Sequence, residues 1–455
     1  MKKLQELDRF YWFKRTQKNL KRLWKKKAEA KRRKAARRRK EREYVGFDDR
    51  AFKKQELKAI KKLAGVSKSH QKRTVGDGSP TGRREIKIPR RFSIIDSPLE
   101  CLQVFKAFKP LFDDARISGV LINHEDTLQH DLGAEILLGK VAKGCMDVHR
   151  AQHQGFEIEG QYPESPGLQK LIRSVGIVKE LEVAGHTIEP DDAENEKVVI
   201  FKRKSSGEEV TKIGSIDHKT KATQDFVAHI DHCLQQNGSE LTSDAKQDLA
   251  EYIGEIIANA QDHSGVPNWQ IYGYLDRENE HRICEVVIFN YGNTFAKTFK
   301  KLPQDDYARI ELNKYLERHE KSGIFRKGWS EDSLITLFSL QGRISSKNKP
   351  SDDTRGHGTV SLIEFFQSIS RDSVSEHRQN AKMCILSGSE HIRFDGTYRL
   401  KEDQGPPIIA FNKDNDLRKE PDSNYVRSLR DVFFPGSLIA IQFILPDYAT
   451  KEIQV

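Results

Sequence analysis

An acid, an amide and an imidazole stand four residues apart in the segment EIIANAQDHSG: Glu255, Asn259 and His263. In a helix, a spacing of four stacks side chains on one face. A carboxylate there can orient or deprotonate a water or hydroxyl. An amide oxygen can ligate a hard cation that prefers oxygen, and an imidazole can carry a proton or meet an anion. The flanking residues say where such a face lies. Leu249, Tyr252, Ile253, Ile256, Ile257 and Ala260 form a broad apolar stripe at helical spacing, and Thr242, Ser243 and Asp244 offer an N-cap before it. The three polar groups therefore border a face built for burial.

Three later stretches bear on that line. CEVVIFNYGNTF (284–295) is an apolar strand that delivers Asn290 into a turn containing Gly292. TRGHGTVSLIEFF (354–366) is a glycine-bearing loop, with Arg355, Gly356 and Gly358, leading into a helix whose apolar positions are Val360, Leu362, Ile363 and Phe366. Free amides at a helix N-terminus make an anion site, because donors and dipole point the same way. PGSLIAIQFILP (435–446) is an apolar strand introduced by Gly436 and Ser437. Taken singly, each is a strand, loop or turn like many others.

In this order and at these spacings, the stretches resemble the ATP-binding domain shared by gyrase and sensor histidine kinases, the GHKL superfamily with its Bergerat fold. EIIANAQDH is similar to that family's asparagine box, IFNYGNT to its first glycine box, RGHGTV to its second, and PGSLIAIQFILP to its closing strand. The resemblance implies an α/β sandwich, a mixed sheet covered by helices, over about 198–455. It implies ATP and Mg²⁺ as ligands: Asn259 holding Mg²⁺, Glu255 orienting or deprotonating the attacking group, and His263 near phosphate. Asn290, Gly292, Arg355, Gly356, Gly358 and Ser437 would make the remaining nucleotide contacts. Lys297 to Ser346 would form a lid, with Ser345, Ser346, Lys347 and Arg355 as candidate γ-phosphate contacts. The chain departs from the family at three places. Asn290 stands where the family has an aspartate, Thr294 where the first box has its second glycine, and Val360 at the last glycine of the second box.

The composition frames these motifs. Hydrophobic residues are 36% and charged residues 32% of the 455, so part of the chain lies outside any core. No apolar run approaches the ~18 residues of a membrane span, so no integral membrane segment is expected. The five cysteines, Cys101, Cys145, Cys233, Cys284 and Cys384, are scattered and odd in number, which argues against a disulfide or zinc framework and for a cytoplasmic protein. The net charge of +11 is concentrated: residues 1–45 hold 20 Lys/Arg against five acids and carry +15, which leaves −4 for the rest. Lysine and arginine in a run without glycine or proline suggest a helical arm (1–64) able to contact DNA or RNA phosphates. A docking tail for a protein partner and a membrane-surface anchor are the other readings of the arm.

Residues 65–88 read as a polar, glycine-bearing linker. From 89 to about 190, strand-like and helix-like segments alternate: Arg91–Ile95, Pro98–Asp114, Ile117–Ile122, Leu132–Val148, Gly155–Gly160 and Gly167–Val175. Such alternation predicts an α/β layer. ISGVLIN, a polar turn and LGAEILLGKVA (117–142) faintly resemble the STAS domain of anti-sigma antagonists. Where antagonists of that kind present a phosphorylatable serine, this chain has His130-Asp131-Leu132-Gly133, which implies a docking or dimer module without that switch. Three functions follow: an ATP-driven conformational switch, acting on nucleic acid in defence against mobile elements or in regulation; a protein kinase of anti-sigma or sensor type; and a non-catalytic interaction protein with a degenerate pocket.

Overall fold

A computed structural model describes residues 49–66, 82–152, 155–178, 201–204, 218–235, 239–263, 269–276, 283–321, 329–342, 358–372, 381–402, 406–444 and 449–452. The basic segment 1–45 lies outside them. The chain divides into a unit of 1–51 with 206–211 and a unit of 52–205 with 212–455; the fold described here belongs to the second, apart from the first residues of its opening helix.

That helix is α1 (Asp49–Leu63), which buries Ile60 and Leu63. The stretch expected to be a linker ends in a strand, β1 (Gly82–Lys87). Next come β2 (Arg91–Phe92), α2 (Pro98–Ala107) and α3 (Lys109–Asp113). One helix was expected over 98–114; it breaks after Ala107 because Pro110 has no amide proton to continue the ladder. Then β3 (Ile117–Asn123), β4 (Gln129–His130), α4 (Leu132–Arg150), β5 (Glu157–Gln161) and α5 (Pro166–Ser174) complete an α/β layer. Strands β1, β3 and β5 pair in parallel around β3, and β2 pairs in parallel with β4.

Helix α4 is buried along most of its length, and its small residues explain how. A Cβ on Gly139 would lie 2.5 Å from the Gly176 carbonyl carbon, so only glycine lets that loop cross the helix. Asp131 caps the helix by accepting from Ala134 N (2.8 Å), and also accepts from Ser93 Oγ (2.7 Å) and Ile95 N (3.1 Å).

The rest of the chain supplies β6 (Phe201–Lys204), α6 (His218–Gln235), β7 (Ser239–Leu241), α7 (Ser243–His263), β8 (Trp269–Leu275), β9 (Ile283–Tyr291), α8 (Phe295–Lys300), α9 (Tyr307–Lys321), α10 (Glu331–Phe338), α11 (Gly358–Asp372), β10 (Lys382–Gly388), β11 (Glu390–Phe394), β12 (Val426–Ser428), β13 (Phe434–Ile444) and β14 (Thr450–Glu452). Seven strands form one sheet in the order β12-β11-β10-β13-β9-β8-β6. A mixed sheet was expected, yet every pair is antiparallel. The chain makes it so by joining β8 to β9 and β10 to β11 directly and by laying β13 between β9 and β10 in the opposite sense.

Both faces of this sheet are covered, so its strands are apolar on both sides instead of alternating with polar residues. One face, with Ile271, Ile288, Ile439 and Ile385, packs under α6, α7, α11 and the helices between β9 and β10. The other, with Tyr272, Phe289, Leu438 and Leu386, shares a single apolar cluster with Leu137, Val141 and Phe105 of the α/β layer. Among the described residues no helix is long and apolar enough to cross a membrane.

Candidate functional site

At one end of the sheet the helix-covered face turns from apolar to polar in a single step. Register places Ser387 of β10 opposite Ser437 of β13, Ser437 opposite Asn290 of β9, and Asn290 opposite Trp269 of β8. The row just inside it on the same face is Ile385, Ile439, Ile288 and Ile271, all in the core. Ser387 Oγ and Ser437 Oγ lie 2.9 Å apart, and Phe295 N donates to Ser387 Oγ (2.9 Å). Asn290 and Ser387 are buried, and Ser437 is half-buried.

The local backbone is set by glycine and by caps. A Cβ on Gly436 would fall 1.9 Å from the Asn290 carbonyl oxygen, so β13 can cross β9 there only as glycine. The Gly292 amide donates to Pro435 O (3.1 Å), tying the turn after Asn290 to the start of β13. Thr294 caps α8: its Oγ1 accepts from Lys297 N (3.1 Å), satisfying a free helix amide that a glycine there would leave to solvent.

Three ring contacts orient the helices above this row. Phe365 of α11 meets Phe443 (5.9 Å between centroids) and Phe366 meets Phe394 (6.1 Å), both at the far end of the sheet, where Phe443 pairs with Cys284 and Phe394 with Met383. Val360, Leu362, Ile363, Phe365 and Phe366 of α11 are buried. Tyr252 of α7 stacks on Phe365 (4.2 Å), and Ile253, Ile256 and Ile257 carry the helix onward over the same core.

The expected site residues thus divide. Asn290, Gly292 and Ser437 are brought together by strand register. Glu255 is half-buried on the turn of α7 between Tyr252 and Asn259. Helix α7 also carries Asn259 and His263, and α11 begins at Gly358; the side chains of Asn259 and His263 lie outside the described residues, as do Arg355 and Gly356. Ser345, Ser346 and Lys347 lie outside them as well. The expected lid is corrected in most of its length. Described residues between Lys297 and Gln341 form α8, α9 and α10, whose Phe299, Leu312, Tyr315, Leu334 and Leu337 are core residues. Ser330 Oγ further ties the start of α10 to Glu390 (3.0 Å). Helices anchored by that much apolar burial do not swing as a loop.

Ser387 was not expected. Its signal was present in CILSGSE (384–390), an apolar strand ending in serine and glycine in the same manner as PGSLIAI, but a lone serine carries no periodicity.

Toward the far end of the sheet, on the opposite face, lies a second polar group at the junction with the α/β layer. Glu285 of β9 accepts from Leu132 N at the start of α4 (2.8 Å), from Tyr274 Oη (3.0 Å) and from Gln442 Nε2 (2.8 Å). Burial, with the neighbouring Asp131 carboxylate, pushes the Glu285 carboxyl up to about 7. Nearby, His130 Nδ1 lies 2.9 Å and His124 Nε2 3.5 Å from Glu135 Oε1. Burial alone would raise the Glu135 carboxyl, but the two imidazoles, His124 foremost, hold it down at about 2.

Compared with known protein families, with curated proteins and with solved structures, the chain matches none.

Proposed function

We propose that the chain is an ATP-binding, ATP-hydrolysing switch of the GHKL type, with a STAS-like α/β layer packed on its sheet. One observation carries this reading. The row Ser387–Ser437–Asn290 sets hydroxyls and a buried amide at one end of the sheet face that α7 and α11 cover. A buried amide and hydroxyls at the floor suit a nucleobase edge, which needs a few placed polar groups in an apolar slot. The amides at the start of α11 suit its phosphates.

Mg²⁺ fits as partner of those phosphates: Asn259 would hold it through an amide oxygen, the ligand type this ion prefers, and the ion would supply charge neutralisation of the phosphates. Glu255, one helical turn before Asn259 and about 6 Å away along the axis, orients the attacking water and takes its proton. Asn290 accepts through its carbonyl and donates through its amine, so it reads the base edge without a fixed charge. Strand β9 carries Asn290 on one face and Glu285 on the other. A shift of β9 on nucleotide binding therefore reaches the start of α4 through the Glu285–Leu132 hydrogen bond. The +15 of residues 1–45 supports DNA or RNA as the partner on which the switch acts.

Glu255→Gln tests the chemical role. The variant is expected to keep Mg-ATP binding while phosphate release falls by about 100-fold or more, the usual range for a lost general base. Unchanged phosphate release in the variant would remove Glu255 from the chemistry.

A further inference from the structure

On the sheet face away from the polar row, beyond the part covered by α4, three cations converge from three adjacent strands. Register puts Arg393 of β11 beside Cys384 of β10, and Arg427 of β12 beside His391 of β11; Lys382 lies two residues before Cys384 on the same face. Asp96, from the turn before α2, is the carboxylate shared by Lys382 and Arg393. It receives Lys382 Nζ (2.9 Å), Gln129 Nε2 (2.7 Å) and Arg393 Nη2 (3.4 Å). Asp395 reaches Arg393 only at 4.0 Å. Arg427 is half-buried and makes no hydrogen bond or ion pair with any described residue.

The group also gathers buried polar atoms that lack partners among the described residues: Arg393 Nε, Arg427 Nε and His391 Nδ1. Buried polar atoms are ordinarily satisfied, so three together mark a place shaped for something other than the chain itself. Desolvation, then the charge of Arg393, works against the Arg427 cation, yet a guanidinium does not give up its proton in a protein. The Asp96 carboxylate offsets part of the repulsion between the two arginines, and a bound anion would offset more of it. His391 is held neutral, pushed down to about 3 by burial and then by Arg427, and its Nε2–H donates to Ile94 O (3.0 Å). Its Nδ1 is therefore an acceptor. The cluster opens to solvent, with the Lys382 and Arg393 side chains 31% and 29% exposed.

We propose that Arg427, Arg393, Lys382 and His391 form a binding site for a phosphate monoester group, separate from the nucleotide site on the other face. Two guanidinium forks and an ammonium match a tetrahedral oxyanion, and arginine meets phosphate with paired hydrogen bonds. The neutral imidazole selects among anions. Its Nδ1 needs a donor, which a monoprotonated phosphate supplies through its O–H. A carboxylate and a nucleic-acid phosphodiester have no such proton.

Inorganic phosphate is the probe. It is titrated calorimetrically into the full chain at constant ionic strength, with chloride as the balancing anion. Saturable binding is expected, weakened about tenfold or more in Arg427→Gln, the loss that goes with a charged hydrogen bond, and partly recovered in Arg427→Lys. Arg427→Gln removes an unpartnered half-buried cation, so its melting point in chloride should not fall below that of the wild type; Arg393→Gln serves as a second variant. Asn259→Ala should bind phosphate as the wild type does, which separates this site from the nucleotide site. No saturable binding, or equal affinity in wild type and Arg427→Gln, overturns the proposal. Loss of single-stranded oligonucleotide binding in Arg427→Gln without any phosphate binding overturns it too, in favour of a phosphodiester contact.

Discussion

Gly436→Ala is expected to destabilise the protein by about 3 kcal/mol or more, the upper end of what overpacking does. The reason is that the atoms in the way are backbone. A Cβ at 436 would lie 1.9 Å from the Asn290 carbonyl oxygen, 2.9 Å from the Asn290 carbonyl carbon and 3.0 Å from Tyr291 Cα. No rotamer change relieves such contacts; β9 or β13 must move, and those two strands share the longest register in the sheet, from Gly436–Tyr291 to Ile444–Ile283. The strain falls on the row that holds Asn290 and Ser437, so nucleotide binding should weaken along with stability. Gly160→Ala is the control, because nothing lies within 4 Å of its added carbon. Urea unfolding reads both. A Gly436→Ala midpoint equal to that of the control would refute the close approach.

Glu285→Gln is expected to change how stability depends on pH. Folding raises the Glu285 carboxyl from 4.5 to about 7. Between those values the folded state holds a proton that the unfolded state has lost, so stability falls as pH rises through the window. The loss amounts to about 3 kcal/mol, since each tenfold difference in proton affinity between the two states is worth about 1.4 kcal/mol. Asp131 lies close by and burial raises its carboxyl as well, so the two carboxyls titrate as a pair. Glutamine has no proton to lose. It also turns an amine toward groups that donate to the carboxylate, Leu132 N among them, so the variant is less stable at pH 5. From pH 5 to pH 8 that deficit should shrink by about 3 kcal/mol. Urea unfolding at both pH values measures it, and an equal deficit at both would refute it. Glu135, held down at about 2, works in the other direction and in another window: its contribution is lost only as pH falls below 4.5.

The parts of the fold that were legible in the sequence are those whose pattern is local. Trp269–Leu275 reads as a strand from its own residues, and Leu132–Arg150 and Ser243–His263 read as helices from apolar spacing and caps. The cover on both sheet faces was not legible, because an apolar run such as VVIF says that a strand is buried and not by what. Nor was the helical nature of 295–300, 307–321 and 331–338, where charged residues such as Lys300, Glu311 and Lys314 dilute the apolar positions. Asn290 and Ser437 stand out in the sequence because each sits in an apolar strand stretch close to a glycine, and register makes them neighbours. Ser387 and the Glu285–Leu132 bond depend on which strands become neighbours, and strand order is a long-range property. The Arg393–Arg427 cluster is hidden for the same reason: its members lie 34 positions apart and meet only because β11 pairs with β12.

The most direct test of the nucleotide reading is the thermal unfolding of the full chain with and without Mg-ATP, alongside Asn259→Ala. A ligand that binds only the folded state stabilises it by mass action, about 2.7 kcal/mol at a hundred times its dissociation constant. The wild type should melt higher with Mg-ATP and less so with ATP in the presence of a chelator, and Asn259→Ala should lose most of the gain. A wild-type protein whose melting point does not move at millimolar Mg-ATP would contradict the assignment of this end of the sheet as a nucleotide site.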